Sequence, residues 1–304
     1  MFDRRGVLIA TGLLALTAGS ALAQDWKAKY PELVFAVVPA ENASGVTERY
    51  APLVAYMSKE LGVKFTLRVA NDYAAVIEGQ KAGNIHLAHY GPASYARAYV
   101  NGVKTEPFAI EVNEDGTKGY YSVFYVRKDS PYQKIEDLKG KNLGLVDPNS
   151  TSGNNVPRFA LDKMGIDPEA FFGKVVYAGS HENAVTALQQ GTVDVAANWW
   201  NDERESNLLR MERKGMAKSS DFRIIFKSEM IVNSPLAYLS DLPPELKTKM
   251  REAIMAFPVK EKAAFDKMFD GKAQPWVPVD HKAYEPVVDL IKFVDQLRKK
   301  KKES

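Results

Sequence analysis

The order of apolar and amphipathic stretches in the first third of the chain predicts alternating strands and helices. Leu33–Val38 is a short apolar run ended by Pro39, typical of a buried strand. Ser44–Gly62 follows with its apolar residues on one face, and Gly62 suits a helix C-terminus. Strands are next predicted at 63–69 and 85–88, and helices at 73–81 and 93–101. This order is typical of a parallel sheet covered by helices.

A second set of the same kind occupies the middle of the chain. It is bounded by the strand-like segments Tyr120–Arg127 and Arg223–Lys227. Between them the pattern predicts strands at 142–146, 175–178 and 193–197 and helices at 155–164 and 181–190. Helices are predicted after it at 242–257, 259–269 and 284–297. The fold class is therefore α/β with two lobes joined by two crossing strands. We assign residues 24–126 and 227–304 to lobe 1 and residues 127–226 to lobe 2.

The N-terminus has the pattern of an export signal. Arg4 and Arg5 form a positive region, and the apolar run Val7–Ala18 is too short to span a bilayer. Ala21-Leu22-Ala23 fits the small-x-small cleavage rule, so residues 1–23 are predicted to be removed near Ala23. The general export route and twin-arginine export both remain open, with the general route favoured. The sequence predicts a soluble exported protein.

Composition excludes several kinds of chemistry. The formal net charge of the 304 residues is +3, which argues for neither a nucleic-acid partner nor a membrane surface. The chain contains no cysteine, which excludes disulfides, thiolate metal sites and a cysteine nucleophile. There is no Gly-rich nucleotide loop and no clear metal-ligand cluster, so we predict neither a cofactor nor a metal.

Three consecutive hydroxyl residues, Ser150, Thr151 and Ser152, follow a predicted strand within Asp147–Gly153. The next segment reads as a helix, so these side chains lie where that helix begins. The first N–H groups of a helix lack internal partners and carry partial positive charge. Hydroxyls and free N–H groups together can bind a tetrahedral oxyanion. The alternative is that one of these residues is an ordinary N-cap.

Polar and aromatic residues follow the other predicted strands as well, where open α/β sheets bind their ligands. Tyr73 and Tyr90 could each give a phenolic hydrogen bond, or could pack as aromatic wedges at a helix start. His181 could give one hydrogen bond to an anion as a neutral imidazole, or could be solvent-exposed. Trp199 and Trp200 could line a pocket or pack in a core.

Carboxylates near a presumed anion need an explanation. Asp202 could accept a hydrogen bond from a P–OH group, which would select protonated oxyanions over fully ionised ones such as sulfate. A catalytic arrangement of Ser150, His181 and Asp202 is a less favoured alternative. The chain lacks the Gly-x-Ser-x-Gly motif of a serine hydrolase.

The chain resembles the periplasmic phosphonate/phosphite/phosphate-binding proteins of ABC importers, the PhnD-like group. The most specific matching stretch is Asp147–Gly153. The other matching stretches run in family order across most of the mature chain: 71–74, 89–92, 119–123, 178–184 and 193–196. The resemblance implies a type II periplasmic binding protein of two hinged lobes that closes on its ligand and docks on a membrane permease.

The resemblance also implies roles for individual residues. Ser150, Thr151, Ser152 and His181 would hold the phosphorus oxyanion from the second lobe, and Tyr73 and Tyr90 would close over it from the first. In relatives that take aminoethylphosphonate, two acidic residues hold the amine. Those positions align with Asn201 and Ser234, which are uncharged here, although Asp202 is adjacent to the first. We therefore expect a small ligand such as phosphite, phosphate or methylphosphonate, with Trp199 and Trp200 shrinking the cavity.

Three functions follow as hypotheses. The first is a monomeric periplasmic protein that delivers a phosphorus oxyanion to an ABC importer and is not an enzyme. The second is a periplasmic sensor subunit with the same fold and ligand. The third, least favoured, is a phosphoester or phosphonate hydrolase.

Overall fold

The computed structural model describes residues 26–303. The strands are, in chain order, β1 (Glu32–Val37), β2 (Lys64–Val69), β3 (Leu87–His89), β4 (Thr105–Asn113), β5 (Gly119–Arg127), β6 (Asn142–Leu145), β7 (Lys174–Tyr177), β8 (Val195–Asp202), β9 (Glu205–Ser206), β10 (Phe222–Lys227), β11 (Ile231–Val232), β12 (Pro235–Leu239) and β13 (Ala273–Pro278). The α-helices are α1 (Ala43–Leu61), α2 (Tyr73–Lys81), α3 (Pro92–Val100), α4 (Val156–Lys163), α5 (Pro168–Phe171), α6 (His181–Gln189), α7 (Asn207–Arg213), α8 (Pro244–Lys260), α9 (Lys262–Met268) and α10 (Glu285–Glu303). The predicted signal segment, residues 1–23, lies outside the described residues.

The first sheet has six strands in the order β13-β4-β12-β3-β1-β2. β1 pairs parallel with β2 and β3, as the strand-helix alternation predicts, whereas β12, β4 and β13 pair antiparallel. Helix α1 shows why the local sequence folds as it does. Asn42 caps it by accepting from Gly45 N–H at 2.9 Å, and Gly62 ends it with φ of 65°.

The second sheet runs β10-β5-β8-β6-β7, with β9 beside β8 and β11 beside β5. β6 pairs parallel with β7 and β8, while β5 pairs antiparallel with β8 and β10. The pairing of β5 places residues 119–126 with the second sheet, whereas the predicted lobe boundary placed them with the first. The chain therefore crosses between the sheets at 114–118 and again at 233–234, after β11. The exact lobe boundaries stay a proposal.

Direct contacts join the two lobes. The Thr151 hydroxyl accepts from Ala93 N–H, at the start of α3, at 2.8 Å. Glu182 Oε2 accepts from the backbone N–H and the side-chain amide of Asn42 at 2.8 and 2.9 Å. Lys214 Nζ lies 2.7 Å from Glu41 Oε2 and 2.8 Å from Glu182 Oε1. The cleft between the lobes is thus closed by hydrogen bonds and ion pairs from both sides.

Several elements differ from the sequence prediction. β4 and β13 were not predicted, because their short apolar segments carry no regular alternation that marks them as strands. The helix break expected at Pro258 does not occur, and α8 continues through this buried residue to Lys260. β8 extends to Asp202, so the residues expected in a loop after it belong to the strand. Among residues 26–303, no helix is long and apolar enough to cross a membrane.

Candidate ligand-binding site

The loop after β6 starts the site. Ser150 precedes a π-helical turn, Thr151–Asn155, which leads directly into α4. Gly153 O accepts from Val146 N–H at 2.9 Å, and a Cβ at Gly153 would lie 2.4 Å from the Val146 side chain. The loop therefore needs glycine here to fold back against β6. Single π-helical turns of this kind are frequent at functional sites.

The three predicted hydroxyl residues lie together and line one cavity between the lobes. Ser150 is an N-cap as well, because its hydroxyl accepts from Gly153 N–H at 3.1 Å. All three residues are buried. The Ser152 carbonyl accepts from the Ser122 hydroxyl at 2.7 Å, which fixes the turn against β5. The structure thus holds the hydroxyls in a rigid group at a helix start.

Of the two predicted phenols, Tyr73 points to the hydroxyl group and Tyr90 does not. Tyr73 lines the cavity with Ser150, and burial raises the pKa of Tyr73 more strongly than the Ser150 side chain lowers it, which keeps the phenol protonated. Tyr90 also lines the cavity, but its hydroxyl donates to Gln80 Oε1 at 2.9 Å. The expectation that Tyr90 offers its phenolic proton to a ligand is therefore wrong for this arrangement.

Tyr120 supplies a second phenol that the sequence analysis did not assign to the site. It lies at the start of β5 and lines the same cavity as Thr151 and Ser152. Burial raises its pKa to about 12, against the Thr151 and Ser152 side chains, which lower it. The residue therefore stays a neutral donor at physiological pH. Its position at the start of the first strand after the chain crosses between the lobes is the sequence feature that could have identified Tyr120.

His181 is buried and lines the cavity at the first turn of α6. Its Nδ1 lies 3.0 Å from Asn198 Oδ1, and that oxygen also accepts from Trp199 N–H at 3.0 Å. Asn198 Nδ2 donates to the His181 carbonyl, so the amide orientation is fixed from both sides. We therefore assign the imidazole proton to Nδ1.

This tautomer changes the role expected for His181. Its Nε2 carries no proton and lies 3.4 Å from Ser150 Oγ, which can donate to it. Burial lowers the pKa of His181 to about 4, against the Asn198 hydrogen bond, which raises it. The neutral imidazole thus presents an acceptor to the cavity. The expectation that the neutral ring donates to an anion does not hold in this tautomer.

The residues predicted to hold a ligand amine are only partly brought together. Asn201 and Ser234 line the cavity and are uncharged. Asn201 Nδ2 donates to Asn113 Oδ1 at 3.1 Å. Asp202 does not line the cavity. Its carboxylate caps the turn at Arg204 N–H at 2.7 Å and pairs with the same guanidinium at 3.1 Å, so the role predicted for Asp202 as a P–OH acceptor is wrong.

The two tryptophans have different surroundings. Trp199 lines the cavity, with the Arg210 guanidinium 4.8 Å from its ring centroid. Trp200 does not line it and instead packs beside Tyr121, with Lys227 Nζ 4.4 Å from its ring. This difference follows from the alternation of side chains along β8. Only Trp199 therefore limits the cavity, where a pair was expected.

Charged residues that line the cavity from both lobes were also missed from the sequence. They are Glu41, Arg49, Glu111 and Arg210, with His89 beside them. Burial would raise the pKa of Glu41, but Arg49, Arg210 and Lys214 outweigh it and bring that pKa to about 2. Glu41 lies in a loop, Arg49 and Arg210 lie on two different helices, and Glu111 lies on the unpredicted strand β4. The sequence therefore shows no common pattern that links them. Folding alone brings them together.

The cavity has a volume of about 150 Å³. Pockets for drug-sized ligands occupy roughly 300–1,000 Å³, so this one suits a much smaller molecule. One wall consists of hydroxyls and phenols at a helix start, and the opposite wall carries ion-paired side chains. A two-lobed protein with such a cavity between its lobes belongs by architecture to the class of ligand-binding proteins that close over a small solute.

Comparison with known proteins narrows this class. The family model described as ABC transporter, phosphonate, periplasmic substrate-binding protein matches residues 35–284. The chain is 33% identical over 249 residues to the phosphate-import protein PhnD of Mycolicibacterium smegmatis, covering 79% of this chain and 76% of the relative. It is 32% identical over 242 residues to the phosphonates-binding periplasmic protein of Escherichia coli, covering 78% and 70%.

A solved structure confirms the fold. It is a binding-protein component of an ABC phosphonate transporter from Pseudomonas aeruginosa, with a TM-score of 0.78, 29% identity and 86% of each chain covered. The chain belongs to the family of phosphonate-type periplasmic substrate-binding proteins of ABC transporters. Its fold is that of type II periplasmic binding proteins, as the sequence predicts.

Proposed function

We propose that this protein captures a small phosphorus oxyanion, such as phosphite, phosphate or methylphosphonate, in the periplasm and delivers it to the permease of an ABC importer. The observation that carries the proposal is the group of Ser150, Thr151 and Ser152 hydroxyls at a helix start, with the Tyr73 and Tyr120 phenols beside it. Neutral donors of this kind stabilise a tetrahedral oxyanion without a full positive charge. The relatives' names support the ligand class.

Capture follows from the closed arrangement of the lobes. Thr151 and His181 come from the second lobe and Tyr73 from the first, so a ligand between them contacts both lobes. A ligand that contacts both lobes stabilises the closed state relative to the open one. The lobes are the moving parts in this proposal, and the crossings at 114–118 and 233–234 form the hinge. The protein acts as a monomer after cleavage near Ala23.

The geometry supports binding rather than catalysis. Ser150 Oγ lies 3.4 Å from His181 Nε2, but the partner of His181 Nδ1 is the uncharged Asn198. An amide does not supply the negative charge that stabilises an imidazolium in a serine-hydrolase triad. Asp202 pairs with Arg204 instead. We infer that the ligand is released unchanged.

Titration calorimetry tests this function. Phosphite, phosphate, methylphosphonate and 2-aminoethylphosphonate are titrated into the mature protein, and at least one of the first three should bind more tightly than the aminophosphonate. Thr151→Ala should weaken that binding by about 1–3 kcal/mol, because a hydrogen bond to a charged partner is lost. Thr192→Ala, the same change at an exposed residue, is the control. Failure of all four compounds to bind would overturn the proposed function.

A further inference from the structure

Glu111 is a carboxylate in an otherwise apolar stretch of β4. Phe108, Ala109, Ile110 and Val112 around it are all buried. Glu111 lines the ligand cavity, and its side chain retains 25% of its accessible surface. A carboxylate at such a position costs free energy unless it has a partner or a task.

One oxygen of Glu111 lies near His89, and the other has no donor among the described residues. Oε1 lies 3.2 Å from His89 Nε2 without forming a hydrogen bond, and that ring is held by the Tyr50 hydroxyl 2.7 Å from Nδ1. Within residues 26–303, no side chain or backbone group donates a hydrogen bond to Oε2. The Asn233 amide donates to the Glu111 backbone carbonyl and leaves the carboxylate alone. Oε2 is thus a hydrogen-bond acceptor available to the cavity.

The carboxylate is ionised and therefore can only accept. Burial would raise the pKa of Glu111, but His89, Arg210 and Arg49 outweigh burial and hold that pKa below its ordinary value. The two arginines argue against binding of a ligand ammonium group here. Arg49 and Arg210 line the same cavity and would repel it, and Asn201 and Ser234 add no negative charge. A neutral O–H group of a ligand is not repelled by these arginines and can donate to Oε2.

Glu111 is close enough to act on a ligand held by the hydroxyl group. Both line one cavity of about 150 Å³. The negative charge of Glu111 acts on Tyr120, which lines the same cavity as Thr151 and Ser152, in the direction of a raised pKa. An oxyanion on those hydroxyls therefore lies within the field of this carboxylate. An oxyanion without a proton to share would be repelled by the negative charge of Glu111.

We propose that Glu111 is a specificity-determining residue that accepts a hydrogen bond from the P–OH group of a singly protonated phosphorus oxyanion and rejects fully ionised anions such as sulfate. This inference rests on the proposed function, because it assigns the ligand of the same cavity. Phosphite, methylphosphonate and phosphate each lose their second acidic proton near neutral pH, so a form that carries a P–OH group is abundant there. Sulfate has no proton to give and leaves Oε2 unpaired beside a negative charge.

The test compares phosphite with sulfate by titration calorimetry on three proteins. The wild type should bind phosphite and reject sulfate by at least about a hundredfold. Glu111→Gln should weaken phosphite roughly tenfold to a hundredfold and bind sulfate more tightly than the wild type, because an amide can donate to an ionised oxygen. Glu48→Gln, the same change at an exposed residue, should leave both affinities unchanged. If Glu111→Gln does not fold, Glu111→Asp and Glu111→Asn form the substitute pair, and only the aspartate should keep the preference for phosphite.

The remaining outcomes distinguish failure of the role proposed for Glu111 from failure of the proposed function. Phosphite binding that stays selective in Glu111→Gln overturns the role of Glu111 and leaves the proposed function intact. Loss of 2-aminoethylphosphonate binding alone, with phosphite and sulfate unchanged, makes Glu111 an amine acceptor and also overturns the inference. Absence of binding of any phosphorus compound to the wild type is the failure of the proposed function itself.

Discussion

At the scale of single residues, hydrogen-bond polarity decides what each group can do. His181 and Tyr90 both line the cavity, yet Asn198 and Gln80 respectively take the protons that they could offer a ligand. The donors left for an oxyanion are the hydroxyls at 150–152 and the phenols of Tyr73 and Tyr120. The sequence identifies which side chains can form hydrogen bonds, but the partner on the far side decides whether each is donor or acceptor.

The buried neutral His181 gives a pH dependence of folding stability. Its pKa is about 4 in the folded protein against an ordinary value of 6.5, so between these values the unfolded chain takes up a proton that the folded chain does not. This contribution to the free energy of unfolding is complete above pH 6.5 and is lost as the pH falls to about 4. The loss is on the order of 3 kcal/mol.

Denaturant unfolding at several pH values, without ligand, checks this expectation. His181→Asn keeps an amide that can donate to Asn198 but cannot be protonated, so its stability should fall less than that of the wild type over the same pH range. Contributions from the carboxylates are common to both proteins and cancel in the comparison. Equal slopes for the two proteins would contradict the assignment of a buried neutral His181.

At the scale of elements, the loop between β6 and α4 depends on one close approach. Gly153 lies against Val146, and the asparagine amides at 154 and 155 both donate to the Pro148 carbonyl at 2.8 and 3.1 Å. These contacts fold five residues into a π-helical turn where the pattern predicts the start of an ordinary helix. The turn brings three consecutive hydroxyl residues to one cavity, which a strand would divide between its two faces.

Gly153→Ala should distort this turn. A Cβ 2.4 Å from the Val146 side chain and 2.7 Å from Ser150 Oγ forces the backbone to move, which costs about 1–3 kcal/mol of unfolding free energy. Gly45→Ala in α1 is the control, because its new Cβ would meet only the flexible ends of side chains at 3.3 Å or more. Chemical denaturation should show a loss for the first variant and little change or a gain for the second. Equal stability of the two variants would show that the close approach is unimportant.

At the scale of the whole molecule, ion pairs between the lobes close the mouth of the cleft. Glu41 on lobe 1 lies within 4 Å of Arg210 and Lys214 on α7 and its following turn, and Arg213 pairs with Asp270 at 2.9 Å. The C-terminal helix α10 adds a second bridge. Its Asp295 pairs with Arg97 of α3, and its Phe293 packs on Phe159 of α4 at 5.4 Å between ring centroids. Contacts between the lobes therefore contribute part of the free energy that stabilises the closed state.

Removing one interlobe cation should favour the open state. Lys214→Met breaks the pairs with Glu41 and Glu182, so ligand affinity should fall roughly twofold to tenfold because closure becomes less favourable. Small-angle X-ray scattering of the ligand-free protein should also show a larger radius of gyration. Lys218→Met, the same change at another exposed lysine, should change neither quantity. An unchanged radius and affinity in Lys214→Met would show that these pairs do not hold the lobes together.

The sequence by itself determined the local elements and the chemistry of the central loop. Strand-helix alternation predicts the two α/β lobes, and the run of hydroxyls before a helix predicts the group at 150–152, because these features depend on neighbours in the chain. Tertiary structure alone decided what faces that group. Glu111 and Tyr120 reach the cavity from strands of different sheets, and Asp202 turns away to Arg204, because pairing between distant strands sets side-chain direction and charge balance.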